Sequence, residues 1–344
     1  MGEITTIGVD LAKNVFQLHG ADAQGRVVLR KQLKRAQFLS FFVNLPPVLV
    51  AMESCSSAHH WARELSKLGH QVRLIAPQFV KPFVQGSKND VSDAHAICEA
   101  ATRPTMRFVA IKTIEQQSTL ALHRARQGLI RARTAQINQI RALMGEFGWV
   151  SPQGPHQLLA NLPAQLEQAR ETLPAVFVEL IELLRGQLLG LNERIEAITK
   201  LIVQAISHDP VAQRLQTIPG IGPLSASALA ASVGDVKSFK NGRSLAAWLG
   251  LVPGQHSSGG KAKLLGISKR GDSYLRCLLV HGARSVLYST TRTSSKKPDP
   301  WIEQLKQRKH VNVVSLAIAN RNARIAWSLM AHGHSYEAQP RRAA

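Results

Sequence analysis

Four carboxylates in the first hundred residues stand where they could share a metal ion. Asp10 lies in the apolar run IGVDLAK, where an isolated charge is costly unless something neutralises it. Glu53 ends the apolar run VLVAMES, and on a strand parallel to the first its carboxyl group would converge with that of Asp10. Asp90 and Asp93 in KNDVSDAHAI are three residues apart, so they share one face of a helix that begins there.

An all-oxygen set of this kind suits Mg²⁺. Two such ions about 4 Å apart clamp the attacking and leaving oxygens of a phosphodiester. Each acid alone also has an ordinary structural interpretation. Glu53 fits an exposed strand end, Asp90 or Asn89 a helix cap, and Asp93 an acid favoured by the helix dipole. Taken together, in this order, the four acids favour the metal site.

A second candidate site is the stretch HSSGGKAKLLGISKRGDSYLR, residues 256–276, where two serines precede a pair of glycines. A serine-glycine run alone usually indicates a loop. Its cations would serve as phosphate ligands, and the part from GISKRG onward is predicted to continue as a basic helix. The predicted phosphate ligands are Lys261, Lys263, Lys269, Arg270 and Arg276.

The segment LQTIPGIGPLSASALAASVGDV, residues 215–236, places Pro-Gly-Ile-Gly between two helical patterns. This arrangement is typical of a helix-hairpin-helix. Gly220 and Gly222 would let the backbone approach a phosphate, and the N–H groups that open the next helix would point at it. The alternative is a plain tight turn between two helices.

The charge of the chain points to nucleic acid as the partner. The net charge is +21, and residues 206–344 hold 20 basic against 6 acidic side chains. Such a surplus repels itself unless a polyanion balances it. A solvated basic surface that only keeps the protein soluble is the competing interpretation.

Other compositional features narrow the class of protein. No apolar run reaches the ~18 residues of a membrane helix, and the start MGEITTIGVD resembles a strand rather than a secretory signal. The three cysteines are widely spaced, which favours free thiols in a reducing cytoplasm over a disulfide framework or a zinc site. We therefore expect a cytoplasmic protein without a membrane partner.

Three segments are expected to position these residues. Segment 1–111 reads as three strands followed by helix, strand, helix, strand and helix, the order of an α/β RNase H-like domain. Segment 112–205 reads as a helical connector, broken near 148–155, that could form a coiled coil. Its first helix is rich in arginine and could lie along nucleic acid. Segment 206–344 reads as a mainly α-helical domain, with a loop over 289–300 and a frayed end from 339.

The set GVDLAK, MES, KNDVSDAHAI, PGIG and SSGGK…GISKRG…LR resembles the DEDD-type transposases of bacterial insertion sequences, the bridge-RNA-guided recombinases. The resemblance covers both ends of the chain. It implies a RuvC-like domain, a helical connector and a transposase domain. It also implies that Asp10, Glu53, Asp90 and Asp93 are the metal-binding tetrad, and that Ser258, the serine that precedes glycine, is the nucleophile, with Ser257 as the neighbouring candidate.

The implied activity is recombination that excises and inserts an insertion sequence through a covalent protein–DNA intermediate. The implied partners are donor and target DNA and a structured non-coding guide RNA, so that base pairing would read the sequence and the protein would hold the backbone. The family assembles as homo-oligomers, dimers or tetramers. The reading of sequence by base pairing accords with a basic chain that lacks a recognisable base-reading helix.

Three other functions compete with this one. The first is a metal-dependent junction-resolving nuclease, in which Ser258 only binds phosphate and no covalent step occurs. The second is a nucleic-acid-binding protein without catalysis, which the four acids argue against. The third is an actin-like kinase, since GVDLAK could begin a phosphate loop, but no second glycine-rich phosphate motif follows.

Overall fold

A six-stranded mixed sheet organises the first of two compact units, residues 1–114. The computed structural model describes residues 3–86, 89–292 and 299–337. The strand order is β3-β2-β1-β4-β5-β6, in which β1, β4 and β5 run parallel and the other neighbours pair antiparallel. The strands are β1 Thr6–Leu11, β2 Val15–Ala21, β3 Val27–Lys34, β4 Leu49–Glu53, β5 Gln71–Ile75 and β6 Phe108–Val109. The helices are α1 Phe38–Val43, α2 Ala58–Lys67, α3 Pro77–Val80 and α4 Asp90–Thr102.

The two faces of this sheet are packed differently. One face is covered by an aromatic core in which Phe16, Phe38 and Trp61 meet edge to face. The other face is covered by α4, which approaches β1 so closely that a Cβ on Gly8 would lie 2.3 Å from the carbonyl oxygen of Ala94. Only glycine allows this contact, because any side chain would collide with helix backbone.

The predicted mixed α/β character of this region is confirmed. Each of the five predicted strands is present, and helices follow β3, β4 and β5 in the expected places. Sequence analysis missed β6, a strand of only two residues. A pair so short carries no alternation that a pattern could reveal.

The second compact unit, residues 115–344, is mainly helical, as predicted for the C-terminal region. Among its described residues, a small sheet is formed by the antiparallel hairpin of β7 and β8. The long helices α5 and α7 lie in this unit together with the C-terminal helices, so the predicted boundary at 205 stays a prediction. The elements, counting α5 from its first residue, are α5 Ile114–Glu146, α6 Pro155–Ala169, α7 Ala175–Ala205, α8 Pro210–Gln216, α9 Pro223–Val233, α10 Gly242–Trp248, β7 Pro253–Gln255, β8 Leu264–Ile267, α11 Ser273–Arg292, α12 Pro300–Lys306 and α13 Val311–His332.

A buried chain of hydrogen bonds ties α5 to two C-terminal helices. His123 on α5 is 2% exposed. Its Nδ1 lies 2.8 Å from the hydroxyl of Tyr274 and its Nε2 lies 2.7 Å from the hydroxyl of Ser227. Burial, and secondarily the charge of Arg126, lowers the pKa of His123 to about 4. The imidazole is therefore neutral at neutral pH and bonded through both of its nitrogens.

Three of the arginines on α5 form hydrogen bonds inside the unit. Arg126 donates to the hydroxyl of Thr199 on α7, 2.7 Å away, and Arg141 donates to the carbonyl oxygens of Pro152 and Gly154. Arg133 likewise reaches α7. These three side chains hold parts of the unit together, whereas Arg124 and Arg131 are exposed. That α5 lies along nucleic acid stays a prediction.

The basic helix predicted from GISKRG onward begins later than expected. Residues 264–267 form β8, and α11 starts only at Ser273. Asp272 caps it, because its Oδ1 accepts hydrogen bonds from the N–H groups of Tyr274 and Leu275 at 2.8 and 3.1 Å. Gly271, with φ of 75°, ends the preceding loop.

The two predicted unstructured stretches are only partly described. Residues 289–292 are the end of α11, while 293–298 and the stretch 339–344 lie outside the described residues. Within the described ranges, every helix is too short or too polar to cross a lipid bilayer.

Candidate functional site

Two of the four predicted acids lie side by side at the centre of the N-terminal sheet. Val9 on β1 pairs with Met52 on the parallel strand β4, and the next residues on these strands are Asp10 and Glu53. Both carboxylates are half-buried. Burial raises the pKa of the nearby Cys55 thiol, and the charges of Glu53 and Asp10 raise it further. The two carboxylates therefore act on the same small volume, as the sequence predicted for neighbouring parallel strands.

The other two acids lie on the helix that covers the same face of the sheet. Gly8 faces α4, so Asp10, two residues further along β1, faces α4 as well. Near the other end of the contact, the Cys98 thiol reaches the carbonyl oxygen of Thr6 at 3.8 Å. Since α4 thus runs opposite to β1, its first turn, with Asp90 and Asp93, lies toward the Asp10 end of the strand.

The first turn of α4 is fixed by its cap. Asn89 precedes the helix, and its Oδ1 accepts a hydrogen bond from the N–H of Ser92 at 2.8 Å. The cap is therefore Asn89, one of the two residues that the sequence offered for it. Asp90 is exposed and Asp93 is half-buried, and both are first-turn acids that the helix dipole favours.

The four acids are not drawn into a closed metal site. Within the described parts of the chain, no group of three or more His, Cys, Asp or Glu side chains is arranged to hold a metal ion. The donor set itself fits a hard cation, because it consists of carboxylates on one face of the sheet. The ends of β1 and β4 and the first turn of α4 lie toward the same end of that face.

Sequence analysis missed two polar side chains on this face. Gln17 on β2 pairs with Asp10, and His19 pairs with Gly8. His19 is buried, lies 4.7 Å from the His95 ring between ring centres, and leaves its Nδ1 without a hydrogen bond in the described structure. Burial, together with the nearby charges of His95 and Arg30, lowers the pKa of His19 to about 4. The alternation of Phe, Gln, Leu and His in β2 was the signal that could have revealed these residues.

The second candidate site is a hairpin of residues 253–267, here called the serine hairpin. Its register is regular from Gln255, which pairs with Leu264, to Ser258, which pairs with Lys261. The Lys261 N–H donates to the Ser258 carbonyl oxygen at 3.0 Å. Between them lie Gly259 and Gly260 with φ of 55° and 77°, the pattern of a type I′ turn. The sequence suggested a shapeless loop here, and the structure corrects this.

The hairpin separates its two serines by face. Paired residues, and residues two apart on one strand, point to the same side of a ribbon. One side therefore carries His256, Ser258, Lys261 and Lys263, here called the serine face. Ser257 points to the opposite side, where its hydroxyl accepts a hydrogen bond from Gln255 Nε2 at 2.8 Å.

The hydroxyl of Ser258 differs from that of its neighbour. It is exposed, and none of the described residues forms a hydrogen bond with it. Opposite it stands Lys261, which forms no salt bridge within the described structure. A free hydroxyl beside an unpaired cation is accessible to an incoming phosphate.

The loop after the hairpin holds two more of the predicted cations, and one of them, Lys269, has a strained backbone conformation. Lys269 has φ of 54°, a left-handed conformation that costs a side-chain-bearing residue roughly 1–2 kcal/mol relative to glycine. Its N–H donates to the carbonyl oxygen of Gly250. Lys269 and Arg270 are exposed and have no ion pair among the described side chains. Strain kept at an exposed lysine points to a use for its charge.

Arg276 has an internal role. Its Nη1 donates to the carbonyl oxygens of Leu249 and Arg270 at 3.0 and 2.9 Å. It therefore ties the loop to the end of α10. Its predicted role as a phosphate ligand stays a prediction.

The two predicted phosphate-binding glycines, Gly220 and Gly222, differ in how open their backbone is to a ligand. Gly220, with φ of 85°, packs against α11, where a Cβ would lie 2.7 Å from the carbonyl oxygen of Gly282. Gly222 opens α9, is exposed, and has nothing within 4 Å of its Cβ position. Helices α8 and α9 lie on either side of this turn, and of the two glycines Gly222 leaves its backbone open to a ligand. The helix-hairpin-helix assignment stays a prediction.

Two family profiles match parts of the chain that include the candidate regions. Residues 7–148 match the profile of the DEDD transposase domain of IS110 elements, described as "Transposase". Residues 212–298 match the profile described as "Transposase IS116/IS110/IS902 family". The first match contains all four acids, and the second contains the serine hairpin.

Relatives match over nearly the whole chain. A "Probable family 20 transposase" of Pseudomonas aeruginosa is 52% identical over 97% of this chain and 98% of its own length. The "Transposase for insertion sequence element IS1328" of Yersinia enterocolitica is 45% identical over 97% and 98%. The "Transposase for insertion sequence element IS1111A" of Coxiella burnetii is 42% identical over 98% and 92%.

The class of protein that these matches define is a DNA transposase. Within that class, the chain belongs to the IS116/IS110/IS902 family, and the resemblance of its motifs to DEDD-type insertion-sequence transposases is confirmed.

Proposed function

We propose that this transposase cuts and rejoins DNA strands through a covalent intermediate on Ser258, to excise and insert its insertion sequence. The observation that carries the proposal is the placement of this serine at the tip of a regular hairpin. Its hydroxyl is free of internal hydrogen bonds and stands opposite Lys261. Ser257, by contrast, bonds to Gln255 on the other side.

The covalent step balances without an added energy source. The Ser258 oxygen bonds to phosphorus while the bond from phosphorus to the leaving sugar oxygen breaks. The hydroxyl proton passes to water or to His256 on the same side of the hairpin, and the leaving oxygen takes up a proton. The phosphodiester energy is kept in the serine ester, so the cut end can be joined to a new strand by the reverse reaction.

Asp10, Glu53, Asp90 and Asp93 are proposed to bind Mg²⁺. The adjacent strand carboxylates and the first turn of α4 on the same face of the sheet support this assignment. Bound there, the metal would supply charge stabilisation at the reacting phosphate. The strand order β3-β2-β1-β4-β5, with α4 across it, supports a RuvC-like, RNase H-like domain.

The cations of the C-terminal unit are proposed to bind the nucleic-acid backbone. Lys261 and Lys263 lie on the serine face, and Lys269 and Arg270 follow in the strained loop. The helix-hairpin-helix proposal is carried by Gly222, at the exposed start of α9. Contacts of this kind hold phosphates without reading bases.

Guide RNA and self-association complete the proposal. A charge of +21 suits a protein that holds both DNA and a structured RNA, with sequence read by base pairing. The protein is proposed to act as a homo-oligomer, a dimer or tetramer, on donor and target DNA.

The test is to trap the reaction and run it on a denaturing gel. Wild-type protein and Ser257→Ala are expected to give a protein–DNA adduct, while Ser258→Ala gives none. Ser257→Ala is the matched control, because it removes the same hydroxyl one residue away on the other side. An adduct at wild-type level in Ser258→Ala would move the nucleophile elsewhere, first to Ser257. No adduct in any trapped reaction would favour the metal-dependent junction-resolving nuclease.

A further inference from the structure

A groove of about 1090 Å³ lies in the C-terminal unit beside the serine hairpin. Strand β8, the start of α10, and helices α12 and α13 line it. Much of its surface is apolar, with Leu265 and Ile267 from β8 and Val313 and Leu316 from α13. Leu265 is 52% exposed and Val313 48% exposed. Apolar side chains that remain this open in a groove are available to a ligand.

The charges of the groove are all positive. Its charged lining residues are Arg243, Arg321 and Arg324, with no acid among the lining residues that the structure describes. Arg321 is paired with Asp299. Arg243 and Arg324 are exposed and form no salt bridge in the described structure.

The two free arginines are brought together by close helix packing. A Cβ on Gly242 would lie 2.8 Å from the carbonyl oxygen of Arg324. The start of α10 therefore lies directly against α13, and Arg243 follows Gly242. The groove thus has a fixed cationic edge that suits an anionic ligand.

Two tryptophans of the groove are held in fixed orientations. The ring of Trp301 lies under the guanidinium of Arg321, 5.0 Å from ring centre to carbon. Trp327 donates its indole N–H to the carbonyl oxygen of Phe239 at 3.1 Å. Rings oriented before binding provide flat surfaces at little entropic cost.

The groove continues onto the serine face of the hairpin. Leu265 lies two residues after Lys263, and its Cβ is 3.8 Å from the position of a Cβ on Gly254, which shares a side with His256, so Leu265 extends the side of Lys263. Ile267 lies beyond a register shift and pairs with Pro253. The same side carries Ser258, opposite Lys261. At about 3.3 Å per residue, the four residues from Leu265 to Lys261 span about 13 Å.

We propose that this groove binds an unpaired base of the nucleic-acid strand whose phosphates run along the serine face. The inference rests on the proposed function, because it takes the phosphodiester at Ser258 as the end of that strand. Apolar and tryptophan surfaces bind the faces of bases, and arginines bind the adjacent phosphates. Duplex nucleic acid keeps its bases stacked inside, so it has nothing to place in an apolar groove. Because the phosphodiester at Ser258 belongs to DNA in the proposed function, the strand is DNA.

Two neighbouring leucines provide a matched pair of variants. Leu265 lines the groove, whereas Leu264 pairs with Gln255 on the opposite side and does not. Leu264 is 68% exposed, so neither Leu265→Glu nor Leu264→Glu buries a charge in a core. Both variants add one negative charge to β8. They differ only in whether the new carboxylate faces the groove.

The experiment measures the binding of fluorescent single strands to the full chain at fixed salt. The probes are oligo-dT, oligo-rU and an abasic strand of equal length and charge. The wild type is expected to bind the base-bearing strands about tenfold more tightly than the abasic strand, as one stacked base would give. Leu265→Glu loses this preference, and Leu264→Glu keeps it. A base preference shown by oligo-rU and not by oligo-dT would place RNA in the groove and contradict the assignment to the DNA strand.

Three results would overturn the inference. One is equal binding of abasic and base-bearing strands by the wild type, and another is equal loss of preference in both variants. The third is a change in self-association of Leu265→Glu, measured by sedimentation, with unchanged oligonucleotide binding, which would make the groove an interface between copies. Covalent adduct formation is measured separately. If the adduct forms normally while the base preference is absent, only the groove is wrong, whereas loss of the adduct in the wild type contradicts the proposed function itself.

Discussion

The two units hold their chemical groups in opposite ways. Asp10 and Glu53 lie half-buried at the centre of a sheet, where register and helix packing fix them. Ser258 lies at the exposed tip of a hairpin, fixed mainly by a two-glycine turn. A charge within the sheet is expensive and needs many neighbours, whereas a hydroxyl on a turn needs few. The acidic site should therefore be sensitive to packing changes, and the serine site to changes in the turn and its cations.

Backbone strain is the feature that the two sites share. Among the described residues, Ser57 and Lys269 are the non-glycine residues with positive φ, at 68° and 54°. Ser57 follows β4, which ends at Glu53, and Lys269 follows the serine hairpin. Each unit thus keeps one strained residue close in sequence to its candidate site, as expected where function outweighs local stability.

The largest effect is expected from Asp10→Asn. Removal of this charge should lower strand-transfer activity on the order of 100-fold or more, the size typical of losing one catalytic electrostatic group. The melting temperature without metal should stay unchanged or rise, because repulsion with Glu53 is relieved. Strand exchange and thermal unfolding are measured in parallel, with Glu64→Gln on α2 as the control. Full activity in EDTA would contradict the metal role.

The next effect concerns packing. Gly8→Ala in the sheet and Gly271→Ala in the loop place a Cβ 2.3 Å from the Ala94 carbonyl oxygen and 1.8 Å from that of Trp248. Overpacking against backbone should lower the free energy of unfolding by about 1–3 kcal/mol or more. Gly186→Ala, a helical glycine with open space around it, should instead stabilise by roughly 0.5–1 kcal/mol. Urea unfolding measures all three variants. An unchanged free energy of unfolding in Gly8→Ala would refute the close approach of α4.

The third prediction concerns the stability of the folded chain at acid pH. His19 and His123, one in each unit, have pKa values lowered to about 4, mainly by burial. Protonation therefore favours the unfolded chain, whose histidines titrate near 6.5, and stability is lost as pH falls from about 6.5 toward about 4. The free energy of unfolding should fall by about 2 kcal/mol for each histidine between about pH 7 and about pH 5.

Urea unfolding at the two pH values measures this dependence. His19→Leu and His123→Leu should each flatten it, and His60→Leu, at an exposed position, should not. A pH dependence that survives both buried-histidine substitutions would show that other groups carry it.

The smallest effect concerns the strained loop. Replacement of Lys269 by glycine, which suits its φ, together with Arg270→Ala, should weaken DNA binding for all sequences. The slope of log affinity against log salt should fall by about 2, roughly one per lost phosphate contact. Fluorescence anisotropy over a salt series measures it, with Arg194→Ala and Lys200→Ala on α7 as a control pair of the same charge. Weaker affinity at an unchanged slope would rule out the phosphate role.

Much of the fold could be predicted from the sequence, because its signals are local. The apolar runs ending at Asp10 and Glu53 marked two parallel strands, and the motif beginning at Asn89 marked a helix start. The β7–β8 hairpin was missed. Its strands are short, and Leu264 and Leu265 are both exposed, so no alternation of apolar and polar residues revealed it.

The candidate site could be predicted only in part, for a related reason. Residue types and order identified the acids and the serines, but long-range packing decides what each group does. Gly220 packs on Gly282, and Arg276 binds the end of α10. Such contacts join residues far apart in the chain, and nothing in the local sequence distinguishes Gly220 from Gly222.

The ends of the N-terminal sheet have a consequence for aggregation. β3 and β6 each have a strand neighbour on one side only, and an unpaired strand edge is a template for pairing with other chains. β3 carries Arg30, Lys31 and Lys34 as exposed side chains, and like charges would repel a second copy. β6 is only two residues long and offers few groups to pair. The sheet thus protects one edge by charge and the other by its short length, and both features oppose the pairing of copies of the chain through their strands.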